Sequence, residues 1–153
     1  MDPTNSSRPR RIGFHRLNAR AGGLMRATSG SSGYDLASSE EWDVSLAPGA
    51  IALIQTGIVL DLPSGFEGQV RSRSGLASRN AVFVLNSPGT IDSDYRGEIK
   101  VILANLGTAS FIVHPGDRIA QLVFMQVPEV DVKEEDEVTS SGRGTNGFGS
   151  SGV

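Results

Sequence analysis

The sequence points to an all-β domain of the sandwich, jelly-roll or barrel kind, and two observations carry that expectation. Glycine occurs 19 times in 153 residues, well above the ordinary usage of about 7%, and it punctuates the chain instead of gathering in one linker. Three Pro-Gly pairs, Pro48-Gly49, Pro88-Gly89 and Pro115-Gly116, mark turns, because proline presets one backbone angle and glycine permits the positive one. Short β-rich runs separated by such signals are the pattern of these folds.

Behind the first Pro-Gly turn, Ile51 to Leu62 and Phe66 to Arg71 are expected as strands. Ser74 to Asn80 is the one plausible helical turn, and it is short. Ala81 to Asn86 is the next β-rich run and stops before the second Pro-Gly pair. Glu98 to Asn105 and Phe111 to His114 lead up to the third pair, and Arg118 to Val127 follows it. The chain then turns acidic from Glu129 to Glu137. From Ser140 to Gly152 it is rich in glycine and serine, with too little apolar surface to fold by itself, so a flexible arm is expected. Arg143 and Phe148 inside that arm look placed to grip something anionic and something flat. The layout is therefore a flexible N-terminal segment at 1–11, a β domain at 12–139 and an arm at 140–153.

A chain of this length supports one domain whose folding buries roughly 70% of the surface the unfolded chain exposes. The formal net charge of -3 gives no broad electrostatic reason to expect nucleic acid or an anionic membrane as partner. With no cysteine, disulfides, thiolate metal sites and cysteine nucleophiles are excluded. No apolar run approaches the roughly 18 residues of a membrane helix. Met1 to Arg11 is polar and carries Arg8, Arg10 and Arg11 without a signal-type apolar stretch; it reads as a solvated end. A cytoplasmic location is expected.

Candidate chemistry falls to carboxylates, arginines and hydroxyl residues beside glycine. His15 and His114 stand far apart with no third metal ligand near either, and there is no nucleophile elbow or Walker loop. Asp92 and Asp94, behind a Pro-Gly turn and ahead of an apolar strand, could activate water or bind a metal, although turn aspartates commonly bond their own backbone. Arg71 and Arg73 occupy alternate positions, hence one face of an extended segment. Such a pair is either a solvated edge or a phosphate site, in which Ser74-Gly75 would let backbone N–H groups approach an oxygen.

Five segments in order resemble the five signature motifs of the trimeric dUTPases: Ser32-Gly33-Tyr34-Asp35-Leu36, Arg73-Ser74-Gly75-Leu76-Ala77, Asn86 to Glu98, Gly116-Asp117-Arg118-Ile119-Ala120-Gln121-Leu122, and Arg143 to Gly152. They span about four fifths of the chain, counting from Ser32 to Gly152. The resemblance implies a jelly-roll-like β-barrel and a homotrimer whose active sites are each built from three chains. It also implies hydrolysis of dUTP to dUMP and pyrophosphate with Mg2+ as cofactor, which limits uracil incorporation into DNA and supplies dUMP for dTMP synthesis. By family roles, Asp92 would activate the attacking water and contact the 3′-hydroxyl, and Tyr95 would pack under the deoxyribose. Asn86 and the following turn would read the uracil edge, with Thr90, Ile91 and Lys100 lining the pocket. Arg73, Ser74, Gly75 and Gln121 would hold the α- and β-phosphates, and Asp35 would bond a water on the magnesium. The arm would close over a neighbouring site, Phe148 and Gly149 covering the uracil and Arg143, Ser150 and Ser151 meeting the phosphates.

Three departures from the family pattern stand out: Asn146 replaces an arm glycine, Arg26 an aromatic, and Asn80-Ala81 a histidine-like residue followed by glycine. A dCTP deaminase shares the fold but usually carries tryptophan where Tyr95 stands and lacks the Gly-Phe-Gly arm. A catalytically silent nucleotide-binding protein on the same scaffold is the other alternative, and the retained Asp35, Asp92, Arg143 and Phe148 argue against it.

Overall fold

The fold is seen in a computed structural model that describes residues 10–146. Ten strands and one short helix follow in the order β1 (Gly13–Arg16), β2 (Tyr34–Ala37), β3 (Val44–Leu46), β4 (Ile51–Asp61), β5 (Phe66–Arg71), α1 (Ser74–Asn80), β6 (Val82–Val84), β7 (Gly89–Ile91), β8 (Ile99–Asn105), β9 (Phe111–Val113) and β10 (Arg118–Gln126). They form a four-stranded sheet in the order β1-β4-β8-β6, a second in the order β2-β10-β5-β7, and a two-stranded ribbon of β3 and β9. Every pairing is antiparallel.

One core joins the inward positions of all three. Leu36, Val70 and Leu122 come from the second sheet, Ile54, Val82 and Leu103 from the first, and Leu46 and Val113 from the ribbon. The two-residue period of a strand makes this possible: along β8, Ile99, Val101 and Leu103 are buried while Lys100 between them is exposed. Burial of each such aliphatic side chain contributes about 1.5–3 kcal/mol.

The expected strands appear with ends moved by a residue or so, except the run at 81–86, which shrinks to β6. Ala81 is not extended: it closes α1 in the left-handed conformation, φ 53° and ψ 30°, with its N–H on Ala77 O. Leu85 and Asn86 beyond β6 form the turn that carries the chain from the first sheet to β7 in the second. Four strands were not expected. β1, β3 and β7 have three or four residues each and β2 has four, too few to show a period.

Irregularities in the ladders bring side chains to the site. The register of β4 against β8 shifts between Gln55 and Ile58, where Gly57 takes a φ of +64°. A side chain there would also meet Ala21. The freed Gly57 N–H donates to Glu98 Oε1 at 2.8 Å. On β10 the register against β2 shifts between Arg118 and Ala120. Such a bulge turns a side chain away from the strand's regular alternation.

Ala81 supplies a test of stability. An L-residue with a Cβ is strained in the left-handed region by about 1–2 kcal/mol, partly offset by its lower unfolded-state entropy relative to glycine. Ala81→Gly is expected to stabilise the fold by about 0.5–1 kcal/mol, a Tm rise of roughly 1–4 °C for a domain of this size. Thermal unfolding followed by circular dichroism checks this, and an unchanged or lower Tm would mean the cap is unstrained.

Candidate active site

Ten of the sequence-expected residues gather in two separate clefts. The first, about 230 Å3, is lined by Thr90, Ile91, Asp92, Tyr95 and Lys100, closed at one side by Leu53. It lies among β4, β7, β8 and the loop from Asp92 to Glu98. That loop is held by its own bonds. Tyr95 N–H donates to Asp92 O at 3.2 Å, and Tyr95 Oη donates to Glu98 O at 3.0 Å. A side chain at position 97 would collide with the Tyr95 ring, so Gly97 is what lets the tyrosine fold back. Arg96 fastens the loop from outside through Ser93 O at 2.7 Å and Asp61 Oδ1 at 3.1 Å. Lys100 Nζ lies 3.8 Å from Glu98 Oε2. Asp92 is exposed and joins no ion pair among the described residues. Asn86 stands in the turn between β6 and β7 and does not line this cleft; its amide lies across Gly89, 3.0 Å from where a Cβ would stand.

The second cleft, about 410 Å3, collects Asp35, Arg73, Ser74, Gly75 and Gln121. Arg71 lines it too, as the alternate spacing with Arg73 predicts. Arg79 reaches back along α1 to lie over Gly75. β10 sits between β2 and β5, so Gln121 faces Asp35 on one side and Arg71 on the other. The Gln121 amide donates to Ser72 O at 2.9 Å, and any side chain at Gly33 would collide with it. Three arginines against one aspartate make this cleft attractive to a multiply charged anion.

Asp35 is the electrostatic centre of that cleft. Oδ1 faces Arg73 Nε at 3.2 Å and Oδ2 faces Arg118 Nη1 at 3.1 Å. Arg73 Nη1 in turn donates to the backbone O of Arg118 at 3.1 Å, so the three residues form a closed ring. Arg118 and Glu98 each stand within a motif-like segment, yet sequence reasoning gave neither a task. Their contacts depend on the two register shifts, and a linear pattern does not show those.

A larger cleft of about 750 Å3 also touches Asp92, but Glu67, Asp94 and Glu129 line it with no cation. That sign of charge repels a polyphosphate. No group of three metal-ligating side chains occurs among the described residues. His15 is exposed on β1, and His114 bonds Asp43 at 2.8 Å, a contact that raises its pKa above the ordinary histidine value. Arg143 lies in an exposed turn, its Nε donating to Asn146 O at 2.8 Å, and enters neither cleft. Phe148, Gly149, Ser150 and Ser151 lie outside the described residues.

Comparison with known proteins gives one answer. The family model described as dUTPase matches residues 20–152. The chain is 58% identical over 127 residues to the deoxyuridine 5'-triphosphate nucleotidohydrolase of Chlamydia trachomatis serovar L2, covering 82% of this chain and 88% of that protein. It is 52% identical over 128 residues to the protein of the same name from Rhizobium johnstonii, covering 82% of each. Among solved structures, the Staphylococcus bacteriophage 80alpha dUTPase with dUPNHPP superposes with a TM-score of 0.86 at 28% identity, over 95% of this chain and all of that one.

Proposed function

The chain belongs to the dUTPase family and hydrolyses dUTP to dUMP, and from that premise we propose how its two clefts divide the substrate. The base and sugar enter the cleft lined by Asp92 and Tyr95, and the phosphates enter the cationic one. The observation that carries this division is the clustering itself: the segment from Thr90 to Ile102 forms one cleft with an aromatic ring and a free carboxylate, and residues from distant parts of the sequence collect into another with three arginines. The two share no lining residue within one chain. In line with the resemblance to the trimeric dUTPases, the complete site in this reading is assembled between subunits of a homotrimer, the first cleft of one facing the cationic cleft of the next. Exposed apolar side chains such as Ile51 and Leu53 on β4 suit an assembly that covers them.

In this reading Asn86 and the backbone of the following turn hydrogen-bond the uracil edge, with Thr90, Ile91 and Lys100 around it. Tyr95 packs under the deoxyribose, where its hydroxyl, already spent on Glu98, leaves no room for a ribose 2′-hydroxyl. Asp92 contacts the 3′-hydroxyl and holds a water in line with the α-phosphorus. The water oxygen bonds to that phosphorus, its proton passes to the Asp92 carboxylate, and the bridging bond to the β-phosphate breaks to release pyrophosphate. Positioning and charge neutralisation supply most of the rate in such a displacement. Arg73, Ser74, Gly75 and Gln121 carry the phosphate charge.

The donor set fits a magnesium ion brought by the substrate. Magnesium prefers oxygen and keeps several waters, so triphosphate oxygens can form its inner shell without a protein cage, and a single carboxylate, Asp35, is enough to accept from one of those waters. When bound, the ion neutralises phosphate charge. The arm at 140–153 closes over the neighbouring site, Phe148 and Gly149 on the base and Arg143, Ser150 and Ser151 on the phosphates.

Incubation with dUTP, UTP and dCTP tests the reading. Pyrophosphate release from dUTP, at least about a hundredfold faster than from UTP, and no ammonia from dCTP are expected. Comparable hydrolysis of UTP would remove the sugar role from Tyr95, and ammonia release would make the chain a deaminase.

A further inference from the structure

The ring of Asp35, Arg73 and Arg118 carries an inference about how the cationic cleft accepts its anion, and it rests on the reading of that cleft as the polyphosphate site. Asp35 is held by two guanidinium groups, one on each oxygen, but the two arginines are placed differently. Arg73 lines the cleft, whereas Arg118 does not. Arg118 opens β10 at the bulge, and the chain before it is pinned by Ser38 N–H on Asp117 O at 2.8 Å and Gly116 N–H on Ser38 O at 2.9 Å. Its guanidinium approaches Asp35 from outside the cleft.

A polyphosphate entering the cleft competes with Asp35 for Arg73, because a guanidinium binds phosphate oxygens with the same paired donors it offers a carboxylate. If Arg73 were the sole partner of Asp35, moving it would strand a half-buried carboxylate, whose loss of partner is costly. Arg118 removes that obstacle by keeping the second oxygen paired. We propose that Arg118 is a positioning residue that holds Asp35 in place while Arg73 exchanges from the carboxylate to the phosphates. The carbonyl of Arg118 that receives Arg73 Nη1 steers the same guanidinium.

The test measures calorimetric binding of the imido analogue of dUTP to the assembled protein in metal-free buffer, with dUMP alongside. Arg118→Gln is expected to weaken the analogue about tenfold, because Arg73 is then locked on Asp35. Adding Asp35→Asn should restore binding to within about threefold of the wild type, since Arg73 no longer has a carboxylate to leave. Arg118→Lys, which keeps a donor for Asp35, should stay within about threefold as well. A matching pair made with Arg79→Gln, a cleft residue that does not touch Asp35, controls for net charge and should show no such rescue. Additive losses in the Arg118 and Asp35 pair, rescue of the Arg79 variant as well, or unchanged binding in Arg118→Gln would each overturn the proposal. Failure of the underlying reading looks different: the wild type itself would then bind the analogue no more tightly than dUMP.

Discussion

Asp92→Asn is expected to lower the turnover of dUTP by about 10²–10⁴-fold, the range for a lost general base, equivalent to about 3–5 kcal/mol of barrier. The substitution keeps the shape and one oxygen of the side chain, so the contact to the 3′-hydroxyl survives while the ability to take a proton does not. The local fold gives no reason for collapse. Asp92 is exposed, its side chain joins no ion pair among the described residues, and the loop is held by its backbone carbonyl and by Tyr95 and Arg96. Substrate affinity should change by no more than a few fold. Pyrophosphate release measures turnover, and calorimetry with the imido analogue measures binding. Full turnover in the purified variant would take Asp92 out of the chemistry.

Removing residues 140–153 is the second large effect expected: folding and assembly persist while turnover is nearly abolished. The core cluster of the described residues ends within β10, and every residue from Met125 to Asn146 is exposed, so the described part of the deleted stretch, residues 140–146, takes no core contact with it. The glycine content of the arm makes its ordering costly, and closure must be offset by what it grips. Stacking of Phe148 on the base supplies about 1–3 kcal/mol, and Arg143 adds charge at the phosphates, more with triphosphate than with dUMP. A closed arm also excludes water and completes the site. Sedimentation reports the assembly and pyrophosphate release the activity. A truncated trimer with full activity would make the segment the functionless tail that its composition alone suggests.

Much of the site was legible because its parts are local in sequence. Thr90, Ile91, Asp92 and Tyr95 come from one segment, and Arg73, Ser74 and Gly75 from another, so a linear motif already places them together. Asp35 and Gln121 lie far from Arg73, yet the β10–β2 and β10–β5 registers bring them side by side. The link of Arg118 to Asp35 spans 83 positions and depends on a bulge, and the link of Glu98 to Gly57 depends on another. Such irregularities add one residue on β10 and two on β4 without altering the hydrophobic pattern enough to announce themselves. The fold shows the same division. Long strands such as β4 and β10 declare themselves through composition and flanking turns. β7, by contrast, begins on Gly89, a residue the turn signal already claims, and β1 is largely exposed.

Glu98 bears on any attempt to transplant or redesign sugar discrimination. Its carbonyl takes the Tyr95 hydroxyl while its carboxylate takes the N–H of Gly57 in the β4 bulge and sits beside Lys100. The wall of the proposed sugar pocket is thus riveted to a strand 41 residues earlier in the chain. Exchanging Tyr95 alone for another aromatic would leave that carbonyl without its donor, and grafting the 86–98 segment onto a host sheet lacking the bulge would leave a carboxylate with nothing to hold. The transferable unit is the segment 86–98 together with residues 55–58 of β4, and a library built to alter sugar preference should vary positions 57, 95 and 98 jointly.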